Sequence, residues 1–553
     1  QRSNNPKDGN VYSKPIKVTD FEEYVKESIN SGELERQHAL FPRGQTKPWT
    51  YGALKENKSK NRYNNLIAYD HSRVILEKIN GEPHSDYINA NYIDGHRISK
   101  AYIATQGPKP STLFDFWRMI WQENVKHIAM LANIYEDGKK KVEKYWPAIN
   151  ESLQFGDITI QHVSNKVHAD YEFRVFKMTR NEETRQSPVV IHCSAGVGRT
   201  GTILLCDICL RMAARESSID VLRKLQKLRD QRANLVDNIE QYKLAHLVIL
   251  ECLAGMHTTI PCNQIDQSVQ KLLRNGVRSQ MQYLKDTQWQ DQAMKTIGQY
   301  GKTALIVNEK NRFPDIIPEI QGRVFITRYP PEDETSSYIN AIKVDGFRSP
   351  GRFIVTQQPM PNTLGDFWRL VDENYISVII SLNEVNPKDK TSCHFWPTAN
   401  RPQMNPVPSM TLKHANTLSL ECYDLITIHL NRNNAKEHDV VEIFSMKNWP
   451  SKSNCPKTMQ EMLTFLEDSD AASRKSRTVV VTCYDGVKAS GLYVALSFVI
   501  EKMKLEQSCD VCQAVRSVRH NREQFVQDEE QFIFLYRAAV EYINGFQSYA
   551  NFT

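Results

Sequence analysis

The sequence predicts an α/β (α+β) protein of two tandem domains, each with a large twisted mixed sheet flanked by helices. Three observations support this prediction. One pattern of short motifs occurs twice along the 553 residues, and each copy has short β-branched runs in its middle and helical periodicity at its ends. In the first copy an apolar run also leads through a glycine-rich loop into a helix, which is typical of an α/β layer.

The internal repeat defines the domains. Lys60–Tyr63 recurs as Lys310–Phe313, and Tyr87–Ala90 recurs as Tyr338–Ala341, with offsets of 250 and 251. The sequence therefore predicts a first domain over residues 21–254, a linker over 255–267 that carries Gly, Pro and Thr, and a second domain over 268–553.

The offset between the copies changes before the glycine-rich loop. Cys193 matches Cys483 and Gln241 matches Gln531, both at an offset of 290. About 40 residues of the second copy are thus absent from the first, between 180 and 187, where the second copy has a strand, Trp449-Pro450 and a helix. A domain that loses an inner strand and a helix does not keep its core, so we expect an intact first domain to contain them.

The elements follow from local pattern. Each copy is predicted to open with helices, over 21–34 and 268–277, and residues 217–237 carry apolar residues at helical spacing with a solvated charged face. Strands are predicted for HIAML, DITIQHV and YEFRVFKM in the first copy.

Composition limits the functional classes. The net charge of +6 is too small to indicate nucleic acid, and no apolar run approaches the ~20 residues of a membrane helix. The N-terminus does not resemble a signal peptide, so we expect a soluble protein or the soluble part of an anchored one. The 11 scattered cysteines indicate a reducing compartment. Two C-x-x-C pairs, Cys206/Cys209 and Cys509/Cys512, lie in apolar segments read as helical and are interpreted as core packing, with no metal site expected.

The segment Ser187–Thr202 carries the chemistry. Val189–Ile191 is predicted to be a buried strand, Cys193–Gly198 a tight loop with inward N–H groups, and Thr202–Met212 a helix. Such a loop binds a tetrahedral oxyanion and stabilises a thiolate at its floor. Arg199, six residues after the cysteine, is placed to grip two phosphoryl oxygens with its planar guanidinium.

Several motifs, in order, resemble those of the protein tyrosine phosphatases: KNRYNN, DYINANYIDG, YIATQGP, DFWRMIWQ, YWP and HCSAGVGRTG. The resemblance implies that Cys193 attacks phosphorus and forms a phosphocysteine without any cofactor, while Arg199 and the loop amides hold the transition-state oxygens. It implies further roles for Thr200 on the thiolate, His192 in holding the loop and lowering the pKa of the cysteine, Glu136 in orienting the arginine, and Lys141 nearby. The amides are those of Ser194, Ala195, Gly196, Val197 and Gly198.

The resemblance also assigns the substrate pocket. Tyr63 matches the aromatic residue that stacks on phosphotyrosine and makes the pocket too deep for phosphoserine, and Asn65 matches the residue that holds the substrate backbone. Two departures weaken the match in the first copy. The Trp-Pro-Asp loop with its general acid falls in the missing segment, and Asp237 stands where a glutamine positions the hydrolytic water, although Gln241 matches the second glutamine.

The second copy diverges at each catalytic position. Cys483 remains in TCYDGVKASG, but Ala489 replaces the arginine and Asp485 adds a negative charge. Ser451 follows Trp449-Pro450 where the family has its acid. We therefore expect an inactive copy that binds, stabilises or regulates.

Tandem copies with the active one first resemble the cytoplasmic portion of a single-pass plasma-membrane receptor phosphatase. Residues 1–20 would be the juxtamembrane segment, tethered to the membrane by a segment N-terminal to Gln1. The expected partners are phosphotyrosine-containing proteins, with a contact between the two domains and no nucleic acid. Two alternatives remain: a phosphotyrosine-binding scaffold with both copies inactive, and a dual-specificity or lipid phosphatase.

Overall fold

The computed structural model describes residues 13–179, 187–296, 306–433 and 437–550. The chain forms two compact units, the first built mainly from residues up to Gly255 and the second mainly from Met256 onward, and these are called the first and second domains below. The predicted site of the missing segment, between 180 and 187, falls almost entirely outside the described residues.

The first domain contains twelve described strands and seven described α-helices. The strands are β1 (Ile16–Lys17), β2 (Arg73–Ile75), β3 (Tyr87–Ile93), β4 (Tyr102–Thr105), β5 (His127–Met130), β6 (Tyr135–Glu136), β7 (Lys139–Lys140), β8 (Ser152–Phe155), β9 (Ile158–Val167), β10 (Glu172–Thr179), β11 (Val189–His192) and β12 (Ser218–Ile219). The helices are α1 (Phe21–Asn30), α2 (Glu33–Ala39), α3 (Thr50–Ala53), α4 (Leu113–Gln122), α5 (Gly198–Glu216), α6 (Val221–Gln231) and α7 (Ile239–Ala254).

The described part after Gly255 contains eleven strands and eight α-helices. The strands are β13 (Ile260–Pro261), β14 (Arg323–Phe325), β15 (Tyr338–Val344), β16 (Phe353–Gln357), β17 (Val378–Ser381), β18 (Gln403–Val407), β19 (Met410–Ser419), β20 (Tyr423–Arg432), β21 (His438–Met446), β22 (Val479–Cys483) and β23 (Ser508–Cys509). The helices are α8 (Ile265–Asn275), α9 (Val277–Asp286), α10 (Gln288–Thr296), α11 (Leu364–Glu373), α12 (Met459–Ser473), α13 (Lys488–Glu506), α14 (Val511–Asn521) and α15 (Glu529–Ala550).

The main sheet of the second domain has nine strands in the order β14-β15-β16-β22-β17-β21-β20-β19-β18. Its centre is parallel, because β22 pairs in parallel with β16 and β17, and β17 pairs in parallel with β21. Its edges are antiparallel hairpins. A large mixed sheet flanked by helices confirms the predicted fold class.

The matching strands of the first domain follow the same order but form two separate sheets. Its described strands form a five-stranded sheet in the order β2-β3-β4-β11-β5 and a separate three-stranded sheet in the order β10-β9-β8. In the second domain β21 lies between the counterparts of β5 and β10, namely β17 and β20. The sheet of the first domain is therefore divided where the sequence lacks a match to β21 and α12.

The division leaves an apolar face of β10 uncovered. Leu425 of β20 packs against a core cluster that includes Met462 and Phe465 of α12. Phe173, at the matching position of β10, is 57% exposed. Apolar area that stays in water contributes nothing to folding, so this edge of the first domain is less stabilised than its counterpart.

An inner strand of the five-stranded sheet positions the glycine-rich loop. β11 pairs in parallel with β4 on one side and β5 on the other, with His192 opposite Thr105 and Met130. A parallel strand between two neighbours is covered on both faces, which agrees with the buried Val190 and Ile191. The loop thus leaves the carboxyl edge of the sheet, where α/β proteins bind ligands.

Two sequence expectations differ from the structure. The helix expected over Thr202–Met212 begins earlier, at Gly198, so that the loop runs directly into its first turn. Cys206 and Cys209 lie buried in this helix, but Cys509 lies on β23 and only Cys512 is helical, so the helical interpretation is wrong for Cys509. Cys509 pairs with Ile260 across a short antiparallel ladder, which fixes it in extended conformation.

Residues 255–267, expected to be a linker, hold β13 and the start of α8, which belong to the second domain. Within the described ranges, none of the helices combines the length and the apolar character needed to cross a bilayer.

Candidate active site

The cradle loop, Cys193–Gly198, joins β11 to α5 in the first domain. Gly196 in its middle has φ +71°, a conformation that side chains rarely adopt, and a Cβ there would lie 2.1 Å from the Thr105 carbonyl oxygen. Glycine is therefore required at this position for the loop to fold back onto β4. The turn directs N–H groups of the loop and of the first helical turn toward the cysteine sulfur.

The Cys193 thiol lies at the floor of this cradle and is buried. Its Sγ accepts hydrogen bonds from the N–H of Gly196 at 3.2 Å and from the hydroxyl of Thr200 at 3.3 Å. Burial raises the pKa of this thiol, but the Thr200 hydroxyl and the N–H groups of Thr200 and Gly196 outweigh burial, so the pKa lies below its usual value. The cradle therefore stabilises a nucleophilic thiolate.

Replacement of Thr200 by valine tests this stabilisation. Thr200→Val keeps the shape but removes the only side-chain donor to the sulfur described here, so the pKa of Cys193 is expected to rise. The measurement is the pH dependence of iodoacetamide alkylation at Cys193, whose midpoint should move to higher pH. Thr202→Val is the matched control, because the buried Thr202 hydroxyl donates to the Gly198 carbonyl and not to sulfur. An unchanged midpoint in Thr200→Val would contradict the assignment.

His192 supports the loop as a neutral residue. It is completely buried, and burial lowers its pKa to about 4. Its Nδ1 lies 3.2 Å from the Cys193 carbonyl oxygen, which only accepts, so Nδ1 carries the proton and Nε2 accepts from the Tyr145 hydroxyl at 3.0 Å. The bonds to the Cys193 sulfur come from the loop and Thr200, so a role of His192 in lowering the pKa of Cys193 stays a prediction that would act through its bond to the Cys193 carbonyl.

Arg199 is fixed by a carboxylate on the β6–β7 hairpin. Its Nη1 and Nη2 both donate to Glu136, the latter at 2.8 Å, and Nη1 also donates to the Leu131 carbonyl at 3.1 Å. The Arg199 hydrogen bonds lower the pKa of Glu136 to about 2, and Glu136 in turn raises the pKa of Arg199. The pair is thus ionised at neutral pH, and the guanidinium plane is held in one orientation.

The side wall of the site is built by Tyr63. Its ring is 39% exposed and its hydroxyl lies 3.1 Å from the Ser194 Oγ, which donates to the Lys141 carbonyl at 3.1 Å. The preceding Arg62 donates to the Gly107 and Pro108 carbonyls, and the buried Asn61 accepts from the Tyr87 hydroxyl at 2.7 Å. These contacts hold an aromatic ring at the rim of the cradle, with Asn65 exposed two positions further on.

The loop before α7 approaches the cradle from the other side. The N–H of Asp237 donates to the Gln241 Oε1 at 2.9 Å, and a Cβ on Gly198 would lie 2.6 Å from the Gln241 Nε2. The Gln241 amide is therefore packed against the first turn of α5. Of the two sequence-predicted residues, Gln241 contacts the cradle directly, and Asp237 is joined to Gln241 through its backbone N–H and is exposed.

Sequence analysis missed Arg232, which lies behind the cradle loop. It is buried, and its guanidinium donates to the Gly196 carbonyl at 2.8 Å, the Ala195 carbonyl at 3.2 Å and the side chains of Asn89 and Asn91. Burial lowers its pKa to about 10, so it stays charged at neutral pH. The internal repeat could have indicated this residue, because Arg522 lies at the position of the second copy that matches Arg232. It donates to the Gly486 carbonyl at 3.0 Å.

Arg232→Met is expected to loosen the cradle. The change leaves buried carbonyl oxygens without a donor, at a cost of about 2–3 kcal/mol in unfolding free energy, and removes a positive charge near Cys193. The thermal transition of the first domain should fall, and alkylation of Cys193 should require higher pH. Arg522→Met is the matched control, since it destabilises the second domain only. A normal alkylation profile in Arg232→Met would show that Arg232 has no role in shaping the site.

The second-domain cradle, Cys483–Lys488, has the same backbone course but different chemistry. Burial, reinforced by the negative charge of Asp485, raises the pKa of Cys483 to about 12. Ala489, which replaces Arg199, is buried and has no donor side chain. Trp449 is also buried, and its carbonyl accepts from the Asn383 side chain at 3.1 Å, so the segment that carries Ser451 starts from a fixed point.

The first domain thus brings together a loop of inward N–H groups, a cysteine whose pKa is lowered and a guanidinium fixed by a carboxylate. A model of the family described as protein-tyrosine phosphatase matches residues 57–186, 174–251 and 307–541. The chain belongs to this family. The first domain is matched in two pieces and the second in one, and the two pieces meet where the sequence lacks the 40 residues.

The curated relatives compared below are named as tyrosine-protein phosphatases, two of them as receptor-type. The chain is 30% identical over 584 positions to receptor-type tyrosine-protein phosphatase F of Danio rerio, covering 97% of this chain and 30% of that protein. It is 31% identical to the Bos taurus protein of the same name, covering 97% and 30% of the two chains, and 30% identical to the tyrosine-protein phosphatase Lar-like of Caenorhabditis elegans, covering 94% and 25%. The chain thus spans 25% to 30% of the lengths of these relatives.

Proposed function

We propose that the first domain hydrolyses phosphotyrosine in proteins through a cysteinyl-phosphate intermediate. The observation that carries this proposal is the Cys193 sulfur, held by the Gly196 N–H and the Thr200 hydroxyl beside a guanidinium fixed by Glu136. Family membership supports the same chemistry.

In the first step the Cys193 thiolate attacks phosphorus, a sulfur–phosphorus bond forms, and the bond to the tyrosyl oxygen breaks. The loop N–H groups and the Arg199 fork stabilise the equatorial oxygens, which carry most of the charge in this transition state. In the second step water attacks phosphorus, phosphate leaves, and the Thr200 hydroxyl stabilises the returning thiolate. The tyrosyl oxygen takes a proton from solvent as it departs, because no residue of the first domain is assigned as general acid, and the water of the second step releases a proton to solvent.

The pocket wall supports selection of phosphotyrosine. The Tyr63 hydroxyl reaches the Ser194 Oγ at 3.1 Å, so its ring stands at the rim of the cradle while the sulfur lies buried at the floor. An aryl phosphate is long enough to bridge this depth and can stack on the ring. A phosphoserine or phosphothreonine side chain is shorter and lacks the ring.

Two features are proposed to slow turnover. Without a general acid, esters of poor leaving groups such as tyrosine react more slowly than para-nitrophenyl phosphate. Asp237 stands where the family has the residue that positions water for the second step, and a carboxylate near the bound phosphate would disfavour a second negative charge. We therefore propose that the phosphoenzyme forms and then decays slowly.

The test is a rapid acid quench with ³²P-labelled phosphotyrosine peptide, followed by mapping of the label. We expect label on the peptide that contains Cys193, and no comparable label from a phosphothreonine peptide or a phosphoinositide. Equal labelling from phosphothreonine or lipid would favour the dual-specificity or lipid phosphatase alternative. Tight peptide binding without label or product would favour the scaffold alternative.

For the second domain we propose an inactive, regulatory or binding role. The raised pKa of Cys483, the alanine at 489 and the serine at 451 remove the nucleophile, the oxyanion clamp and the acid together. For the whole protein we propose the cytoplasmic portion of a receptor, with a membrane tether N-terminal to Gln1 and phosphotyrosine proteins as substrates, which agrees with the two relatives named as receptor-type.

A further inference from the structure

The cradle of the second domain holds a carboxylate from its own loop. The Asp485 Oδ1 accepts hydrogen bonds from the N–H of Val487 at 2.8 Å and of Lys488 at 2.9 Å. The Cys483 thiol donates to the same oxygen at 3.3 Å. One carboxylate oxygen thus lies on the loop amides at the N-terminus of α13, directly above the sulfur.

The first domain shows what these amides do when no carboxylate is present. Ala195 occupies the position of Asp485 and has no polar side-chain atom, and the Gly196 N–H donates to the cysteine sulfur instead. In the second domain the cysteine sulfur is a donor and not an acceptor, because the Cys483 thiol donates a hydrogen bond to the Asp485 carboxylate. The amides that would meet a bound oxyanion are therefore directed at an internal oxygen.

Other groups around this cradle still favour an anion. Arg522 is buried with its Nε unpaired among the described residues, and the nearby negative charge of Asp485 opposes the lowering of its pKa by burial. The Ser490 hydroxyl, at the place of Thr200, is also buried, and it lies near enough to the Cys483 thiol to oppose the rise in the pKa of that thiol. A positive charge buried next to the loop favours a negative charge in the cradle, whether Asp485 or a bound oxyanion carries it.

We propose that the second domain retains a binding site for a tetrahedral oxyanion and that the Asp485 side chain occupies it as an internal ligand. This inference rests on the inactive role proposed for the second domain. A tethered carboxylate competes with any free anion at high effective concentration and repels it by charge. Removing the carboxylate while keeping the loop would open the site.

The space above the cradle is also restricted, and this determines which oxyanion can be used to test the proposal. The Tyr484 hydroxyl donates to Asp389 at 2.7 Å, and the Arg312 guanidinium lies 4.6 Å from the centre of the Tyr484 ring. A bulky aryl phosphate would have to displace this ring. Tungstate is a small tetrahedral oxyanion that needs only the cradle.

The experiment measures iodoacetamide alkylation of Cys483 in the full chain by peptide mass spectrometry, with and without tungstate. In the wild type we expect negligible reaction and no effect of tungstate. In Asp485→Ala, which copies Ala195, the amides are free to bind sulfur, so the rate should rise about tenfold for each unit by which the pKa of the thiol falls, and tungstate should slow it. Asp485→Asn is the matched control, because its amide oxygen still fills the cradle and Cys483 should stay unreactive.

Protection of wild-type Cys483 by tungstate would overturn the proposal, as would an Asp485→Ala chain in which Cys483 gains neither reactivity nor protection. Buried Cys509 and Cys512 report folding in the same spectra, and Asp485→Ser provides a second variant if they become reactive. Hydrolysis of para-nitrophenyl phosphate by the same samples reports the first domain separately, so failure of the proposed phosphatase function leaves the result at Cys483 interpretable.

Discussion

Replacement of Cys193 by serine is expected to lower hydrolysis of para-nitrophenyl phosphate by about 10⁴-fold or more. The Gly196 N–H and the Thr200 hydroxyl stabilise an anion at the Cys193 sulfur, and a thiol ionises far more readily than a hydroxyl. A serine hydroxyl in the same place stays protonated. The amides and Arg199 remain, so affinity for a phosphotyrosine peptide should be kept while turnover is lost.

The matched control for this change is Cys252→Ser. Cys252 lies in α7 of the same domain and is exposed, so its replacement should alter neither folding nor rate. The measurements are kcat and KM for para-nitrophenyl phosphate and peptide binding by calorimetry. Activity that survives Cys193→Ser and is lost in another cysteine variant would remove Cys193 from the mechanism.

Arg199→Lys is expected to lower kcat/KM by about 10³-fold. Lysine keeps the charge but loses the planar fork, so it cannot hold both Glu136 oxygens and two phosphoryl oxygens in one plane. Because the equatorial oxygens carry more charge in the transition state than in the bound substrate, kcat should fall more than KM rises. Tungstate affinity should fall as well.

Arg211→Lys is the control for Arg199→Lys. Arg211 lies in the same helix, its side chain is 56% exposed against 53% for Arg199, and it also pairs with a carboxylate, that of Asp207 at 2.8 Å. It does not belong to the cradle, so its replacement should leave both constants unchanged. Equal losses in the two variants would show that the effect of Arg199→Lys is a general one on α5.

The sequence was sufficient for the local parts of the site. A β-branched run, a glycine-rich turn and a cysteine six residues before an arginine specify a strand, a nest and a helix start by short-range geometry alone. The structure places Cys193, Thr200, Arg199 and Glu136 together, and Tyr63 joins them from a distant part of the chain. The position of Tyr63 at the cradle could be predicted only from the resemblance, because no local sequence pattern links residue 63 to the loop.

Burial and long-range contacts account for what the sequence did not reveal. The protonation of His192 depends on its complete enclosure, which no spacing shows. Arg232 donates hydrogen bonds to backbone carbonyl groups of the loop, and every residue type has such a carbonyl, so no sequence pattern identifies the acceptor. For Asp485 the sequence indicated repulsion of phosphate, but the direct hydrogen bonds to two amides required coordinates.

The divided sheet of the first domain has a consequence for how molecules of this sequence behave at high concentration. In the described part of this domain, β5 and β10 each end a sheet, and Phe173 exposes an apolar ring beside one of those ends. Open strand edges are templates for β-pairing between molecules. Preparations should therefore form soluble oligomers or swapped dimers as concentration rises, and charged substitutions such as Phe173→Lys should keep the protein monomeric.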